Sequence, residues 1–106
     1  MKNILVLCTG NVCRSPTAEY LLRKSLDAKN YSVESAGIGA VVNSAPEALA
    51  VKVALEHRLD ISGHLSRQVT MDMLRWADLV LVMERNQKLC LLERYPWLEG
   101  KIFRYG

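Results

Sequence analysis

Ile4 to Leu7 is an unbroken apolar run, and Leu79 to Met83 is another. Runs this short, with no polar alternation, predict strands covered on both faces, as in a parallel sheet. Between them the apolar positions move to helical spacing. Ala18, Leu21, Leu22 and Leu26, with Ser25 in the same stripe, predict a helix from Ser15-Pro16 to about Ala28, with Ser15 as N-cap and Pro16 at the first helical position. Tyr31 to Ser35 reads as a second strand, closed by Ala36-Gly37-Ile38-Gly39. Ser44-Ala45-Pro46-Glu47 has capping-box spacing and predicts a helix through about His57, with Ala48, Val51 and Leu55 on one face. Gly63 to Arg67 is an irregular connection, and Thr70 caps a short helix to about Trp76. Glu84 to Arg94 is helical in composition, with Leu89, Cys90 and Leu92 on or near its inner side, and Pro96 ends it. Lys101 to Tyr105 is a last strand. The alternation predicts a three-layer α/β fold, a four-stranded parallel sheet with helices on both faces, in one domain over residues 1–106.

Composition changes this picture little. Hydrophobic residues are 50% of the 106 and charged residues 24%, which excludes a disordered chain. The net charge of +3 is spread along the chain rather than gathered into a run; a site for a small anionic group explains it as well as a nucleic acid does, and no nucleic-acid partner is expected. No apolar run reaches membrane-spanning length, so no membrane partner is expected and the cytoplasm is the expected compartment. Three cysteines cannot all pair, and none lies at zinc-ligand spacing, so neither a structural disulfide, a metal nor another cofactor is expected. Thiol chemistry remains.

That chemistry has an obvious place. Cys8 ends the first strand, and Thr9, Gly10, Asn11, Val12 and Cys13 separate it from Arg14 at a helix start. Ligands of open α/β sheets bind beyond the carboxyl ends of strands. Five intervening residues let successive N–H groups converge on an anion, the helix adds its positive end, and Arg14 offers a planar fork for two phosphate oxygens. The same donors favour thiolate over thiol. Gly10 permits close approach, and Asn11 tolerates left-handed backbone. Ser15 has two candidate roles, capping the helix or donating to the Cys8 sulfur. The apolar residues Ala40, Val41 and Val42 serve either as a buried loop anchor or as one wall of a cleft.

The run Cys8 to Glu19, together with Ser35-Ala36-Gly37, Gly63-His64 with Ser66-Arg67, and Asp78 to Glu84, resembles the low-molecular-weight protein tyrosine phosphatases. The similarity spans essentially all 106 residues and is greatest to the bacterial branch, associated with tyrosine kinases of capsule or exopolysaccharide export. It implies a doubly wound, phosphotyrosine phosphatase I-like fold and phosphotyrosine hydrolysis through a cysteinyl-phosphate on Cys8. It further implies Arg14 as the transition-state clamp, Ser15 as the hydroxyl supporting the thiolate, and Asn11, Ser35 and His64 as a network behind the loop. The phosphate would be held by Thr9, Gly10, Asn11, Val12, Cys13 and Arg14. Read without the family, His64 is a loop histidine. Cys13 matches a position whose thiol can form a reversible disulfide with the nucleophile, and a space-filling role is comparably supported. The implied partners are a phosphotyrosine protein and a bacterial tyrosine kinase.

The family's general acid lies in an Asp-Pro loop beyond the last strand, followed by a final helix, and these 106 residues contain no Asp-Pro. The expectation is a domain shortened at its C-terminal end, weak on ordinary phosphotyrosine, with an uncovered apolar sheet face open to self-association. Two rivals share the loop: an arsenate reductase, for which Cys90 alone is a poor redox partner, and a phosphotyrosine-binding remnant with little turnover. Loss of leaving-group protonation costs about 10²–10⁴ in rate. Turnover of a series of aryl phosphates should therefore fall steeply as the phenol becomes more basic; a flat series would contradict the missing acid.

Overall fold

A computed structural model describes residues 2–11, 14–40 and 42–105. The strands are β1 (Lys2–Cys8), β2 (Tyr31–Gly37), β3 (Leu79–Val82) and β4 (Ile102–Arg104), all parallel, in the order β2-β1-β3-β4. The helices are α1 (Arg14–Ser25), α2 (Ala48–Glu56), α3 (Met71–Trp76) and α4 (Arg85–Arg94), with a single 3₁₀ turn at Pro96–Leu98 before β4. The expected α/β class, strand number and parallel sense are all present. None of the helices described is long and apolar enough to cross a membrane.

The unbroken apolar run of β1 has a simple cause. Leu5 and Leu7 face one core, with Val80, Val82, Leu74, Leu91 and Ile102, while Ile4 and Val6 face the other, with Val33 and Ala18 of α1. Both faces are covered at β1, so no position in its centre is left for a polar residue. The α1 side is less complete toward β3: Leu79, Leu81 and Met83 are only half-buried. A groove of about 600 Å³ opens there between α1, α2 and the end of the sheet, lined by Leu21, Leu49, Val53, Met83 and Tyr105, with Arg14 at its edge.

Several local expectations are corrected. Helix α1 starts at Arg14 and ends at Ser25, so Ser15 lies inside its first turn and is not the N-cap; its hydroxyl is held by Cys8 and Asn11 instead. Ser44 does not cap α2. Its N–H donates to the Ser66 hydroxyl and its carbonyl accepts from the Ser66 N–H, while Glu47 occupies the cap position. Along α2 the fully buried residue is Ala54, and Leu55 points outward. In α4 the inward residues are Gln87 and Leu91; Leu89 and Cys90 face solvent. Thr70 does cap α3, accepting from the Met73 N–H.

Where β1 and β2 end side by side, the chain has no room for a side chain. A Cβ on Gly37 would stand 2.7 Å from the Thr9 carbonyl oxygen and 2.7 Å from the Ala40 Cβ. Gly37→Ala must therefore push Thr9 or the 38–40 turn aside, and overpacking of this kind costs about 1–3 kcal/mol. A lowered denaturation midpoint is expected; an unchanged midpoint would mean that the turn yields freely.

Candidate active site

The order β2-β1-β3-β4 places a topological switch between β1 and β3, where the chain leaves the two strands in opposite directions and a crevice opens at their carboxyl ends. The loop after β1 carries Cys8 to Arg14, and the segment after β3 carries Met83 to Gln87. Cys8 is buried, with its carbonyl accepting from the Ile38 N–H, and the Thr9 carbonyl accepts from the Gly39 N–H, so the end of β2 holds the loop's first half. Val12, Cys13 and Val41, singled out from the sequence, lie outside the described residues.

Asn11 is the centre of the site. It is fully buried, with φ of 57°, in the left-handed region anticipated for it. Its N–H donates to the Cys8 Sγ at 3.1 Å. Its side-chain oxygen accepts from the Arg67 N–H at 2.9 Å, and a backbone N–H can only donate, which fixes the amide's orientation. The Nδ2 group therefore donates to both the Ser15 hydroxyl, at 2.8 Å, and the Ser35 hydroxyl, at 2.9 Å.

The protons of those two hydroxyls must go elsewhere. That of Ser35 goes to Glu19 Oε1, an acceptor-only carboxylate; that of Ser15 is left for the Cys8 Sγ, 2.9 Å away. Two donors thus converge on the sulfur, the arrangement that stabilises a thiolate and strengthens as the sulfur gains charge. Donation therefore diverges from Asn11, through Ser35 to the buried Glu19 carboxylate and through Ser15 to the Cys8 sulfur, with the Arg67 N–H fixing the amide at the centre.

His64 closes the network. Its Nε2 lies 3.0 Å from Asn11 Oδ1 and must be the protonated nitrogen, because that oxygen accepts. Its Nδ1 is 3.9 Å from Glu19 Oε1, too far for a hydrogen bond. Burial pushes the imidazole below its ordinary 6.5, outweighing the Glu19 carboxylate and the Asn11 contact, which favour the charged form. Glu19 itself is 3% exposed and is further neutralised by Arg23, at 2.8 Å. Arg67 braces β2, its guanidinium donating to the Ser35 carbonyl at 2.9 Å.

Arg14 is exposed, and its guanidinium is held by Glu84, the residue that caps α4. The structure thus brings together Cys8, Asn11, Ser15, Ser35 and His64, and places Thr9, Gly10 and Arg14 along the same loop. Glu19, Arg67, Glu84 and Gln87 were missed as site residues. Glu84 and Gln87 form a capping box with Glu in place of Ser or Thr, a spacing visible in the sequence; nothing in the sequence marks Glu19 as buried. Among the described residues no cluster of His, Cys, Asp or Glu is arranged to hold a metal ion.

Residues 3–105 match the model of the low molecular weight phosphotyrosine protein phosphatase family. The chain is 44% identical over 104 residues to the low molecular weight protein-tyrosine-phosphatase Wzb of Escherichia coli K12, covering 98% of this chain and 69% of that protein. Among solved structures it resembles Vibrio vulnificus Wzb in complex with benzylphosphonate, with a TM-score of 0.90 at 39% identity over 99% of this chain and 73% of that one. It also resembles the YwlE arginine phosphatase of Geobacillus stearothermophilus, with a TM-score of 0.89 at 36% identity over 98% and 66%.

The His64 environment sets a pH dependence of stability. With its folded-state value depressed below 6.5, the unfolded chain binds the proton more readily, so this contribution is complete above 6.5 and is lost as pH falls below it toward the folded value. Denaturant midpoints of the protein and of His64→Gln should converge as pH is lowered from 7.5 to 5.5. A constant gap would mean that His64 does not titrate in this window.

Proposed function

The chain belongs to the low-molecular-weight phosphotyrosine protein phosphatase family, and from that premise we propose how its residues carry the reaction. Cys8 attacks the phosphorus of a phosphotyrosine side chain; a P–S bond forms as the bond to the phenol oxygen breaks, and the electron pair leaves with that oxygen. Water then cleaves the P–S bond, releasing phosphate and returning the thiol. The observation that carries this reading is the pair of donors, Asn11 N–H and Ser15 O–H, both directed at one buried sulfur.

Each residue has a distinct role in the proposal. Arg14 binds two equatorial oxygens as charge develops on them, and the backbone N–H groups of the loop bind the rest. Asn11, Ser35 and His64 keep Ser15 oriented. Cys13 is the proposed redox partner of Cys8, as the family likeness implies. Glu84 is engaged by Arg14 and holds its guanidinium beside the loop.

The proposed setting is the cytoplasm, where thiols stay reduced, with a phosphotyrosine protein as substrate and a bacterial tyrosine kinase of capsule or exopolysaccharide export as the opposing activity. Residues 1–106 act as one phosphatase-like domain in this reading. Tyrosine is preferred over arginine because Wzb, a tyrosine phosphatase, is the more similar protein; the fold is common to both activities.

The test is hydrolysis of matched phosphotyrosine and phosphoarginine peptides. The phosphotyrosine peptide should be the better substrate, Cys8→Ser should abolish turnover, and Arg14→Lys should lower it about 10²–10³-fold, the scale of losing one oxyanion donor. Preference for phosphoarginine would overturn the substrate, and turnover surviving in Cys8→Ser would overturn the mechanism.

A further inference from the structure

Gln87 is a buried polar side chain, 8% exposed, that no step above uses. It lies in the first turn of α4, on the β3 side of the crevice. Its Oε1 accepts from the N–H groups of Met83 and Glu84, each at 3.0 Å. Both partners can only donate, so the amide cannot be turned over, and Nε2 is committed to the other side. There it donates to the Thr9 hydroxyl oxygen at 3.1 Å, across 78 positions of sequence.

Thr9 is the residue after Cys8, and its backbone carbonyl is already held by the Gly39 N–H. Gln87 holds the same residue from the opposite strand. A second tie lies beside the first. The Gln87 N–H donates back to the Glu84 side chain in the capping box, and that carboxylate holds Arg14, the last residue of the loop. One turn of α4 therefore grips both ends of the Cys8-to-Arg14 loop, at Thr9 and at Arg14. The grip spans the switch point, where the segments after β1 and β3 are brought together by strand order.

We propose that Gln87 is a positioning residue for phosphoryl transfer: through Thr9 and through Glu84 it keeps the two ends of the anion-binding loop at the spacing the transition state requires. It touches neither the substrate nor the sulfur in this role. Its effect falls on transition-state geometry more than on ground-state binding, so its loss lowers kcat more than it raises KM. The inference rests on the phosphatase reading.

The experiment is steady-state hydrolysis of an activated aryl phosphate, with orthovanadate inhibition, for the parent, Gln87→Ala, Thr9→Val and the double variant, each normalised to its folded fraction by thermal unfolding. Thr9→Val removes one hydroxyl from an exposed side chain and keeps its shape. Gln87→Ala should lower kcat about tenfold with KM within about twofold, and weaken vanadate by a similar factor. Thr9→Val should reproduce most of this loss, and the double variant should be little worse than Gln87→Ala alone. Parent-like kcat in both single variants, losses that multiply in the double variant, or a loss that falls wholly on KM would overturn the proposal. A parent whose turnover survives Cys8→Ser would instead remove the phosphatase reading beneath it.

Discussion

The site depends on the orientation of one buried amide. Asn11 sits in left-handed backbone at the centre of the loop, and the Arg67 N–H decides which way its side chain faces. Every other hydrogen-bond direction follows by elimination, because each oxygen that accepts from Asn11 must send its own proton onward. The nucleophile's environment is set by geometry behind it. An unpaired donor or acceptor in this network would cost about 1–3 kcal/mol, which is why a fully satisfied set of side chains holds one arrangement.

Around that amide the fold supplies anchors from three directions. The end of β2 gives Ser35 and the N–H groups of Ile38 and Gly39; the 63–67 connection gives His64 and Arg67; the first turn of α4 gives Glu84 and Gln87. None of these segments adjoins the loop in sequence. Parallel strand order brings their carboxyl ends to one edge of the sheet, so the topology assembles the site before any side chain is chosen. Tight packing at Gly37 is a consequence of the same convergence.

What the sequence made legible had a local or periodic cause. The apolar runs at Ile4–Leu7 and Leu79–Val82 marked parallel strands, because β1 is covered on both faces and β3 is buried on its Val80 and Val82 face. The left-handed tendency of Asn11 and the spacing of Cys8 to Arg14 are properties of a few neighbouring residues. Long-range pairings were not legible from local pattern; the grouping of Asn11, Ser35 and His64 came from the family resemblance. Ser15 and Ser44 both carry the chemistry of helix caps, yet each is drawn away by a stronger partner from elsewhere in the chain or loop, Ser15 by Cys8 and Asn11, Ser44 by Ser66. The burial of Glu19 depends on Ser35 and Arg23, partners that no local pattern on α1 reveals. Leu89 and Cys90 had the composition of an inner face, but one turn of α4 is devoted to gripping the loop and rotates Gln87 and Leu91 inward.

The donors directed at the Cys8 sulfur have a purpose only if that sulfur carries the phosphoryl group during turnover. Rapid acid quench during hydrolysis of an activated aryl phosphate, followed by mass spectrometry of the peptide containing Cys8, tests this most directly. Phosphate bound to Cys8 during turnover is the predicted result; active protein with Cys8 unmodified and the phosphate on another residue, or on none, would contradict it.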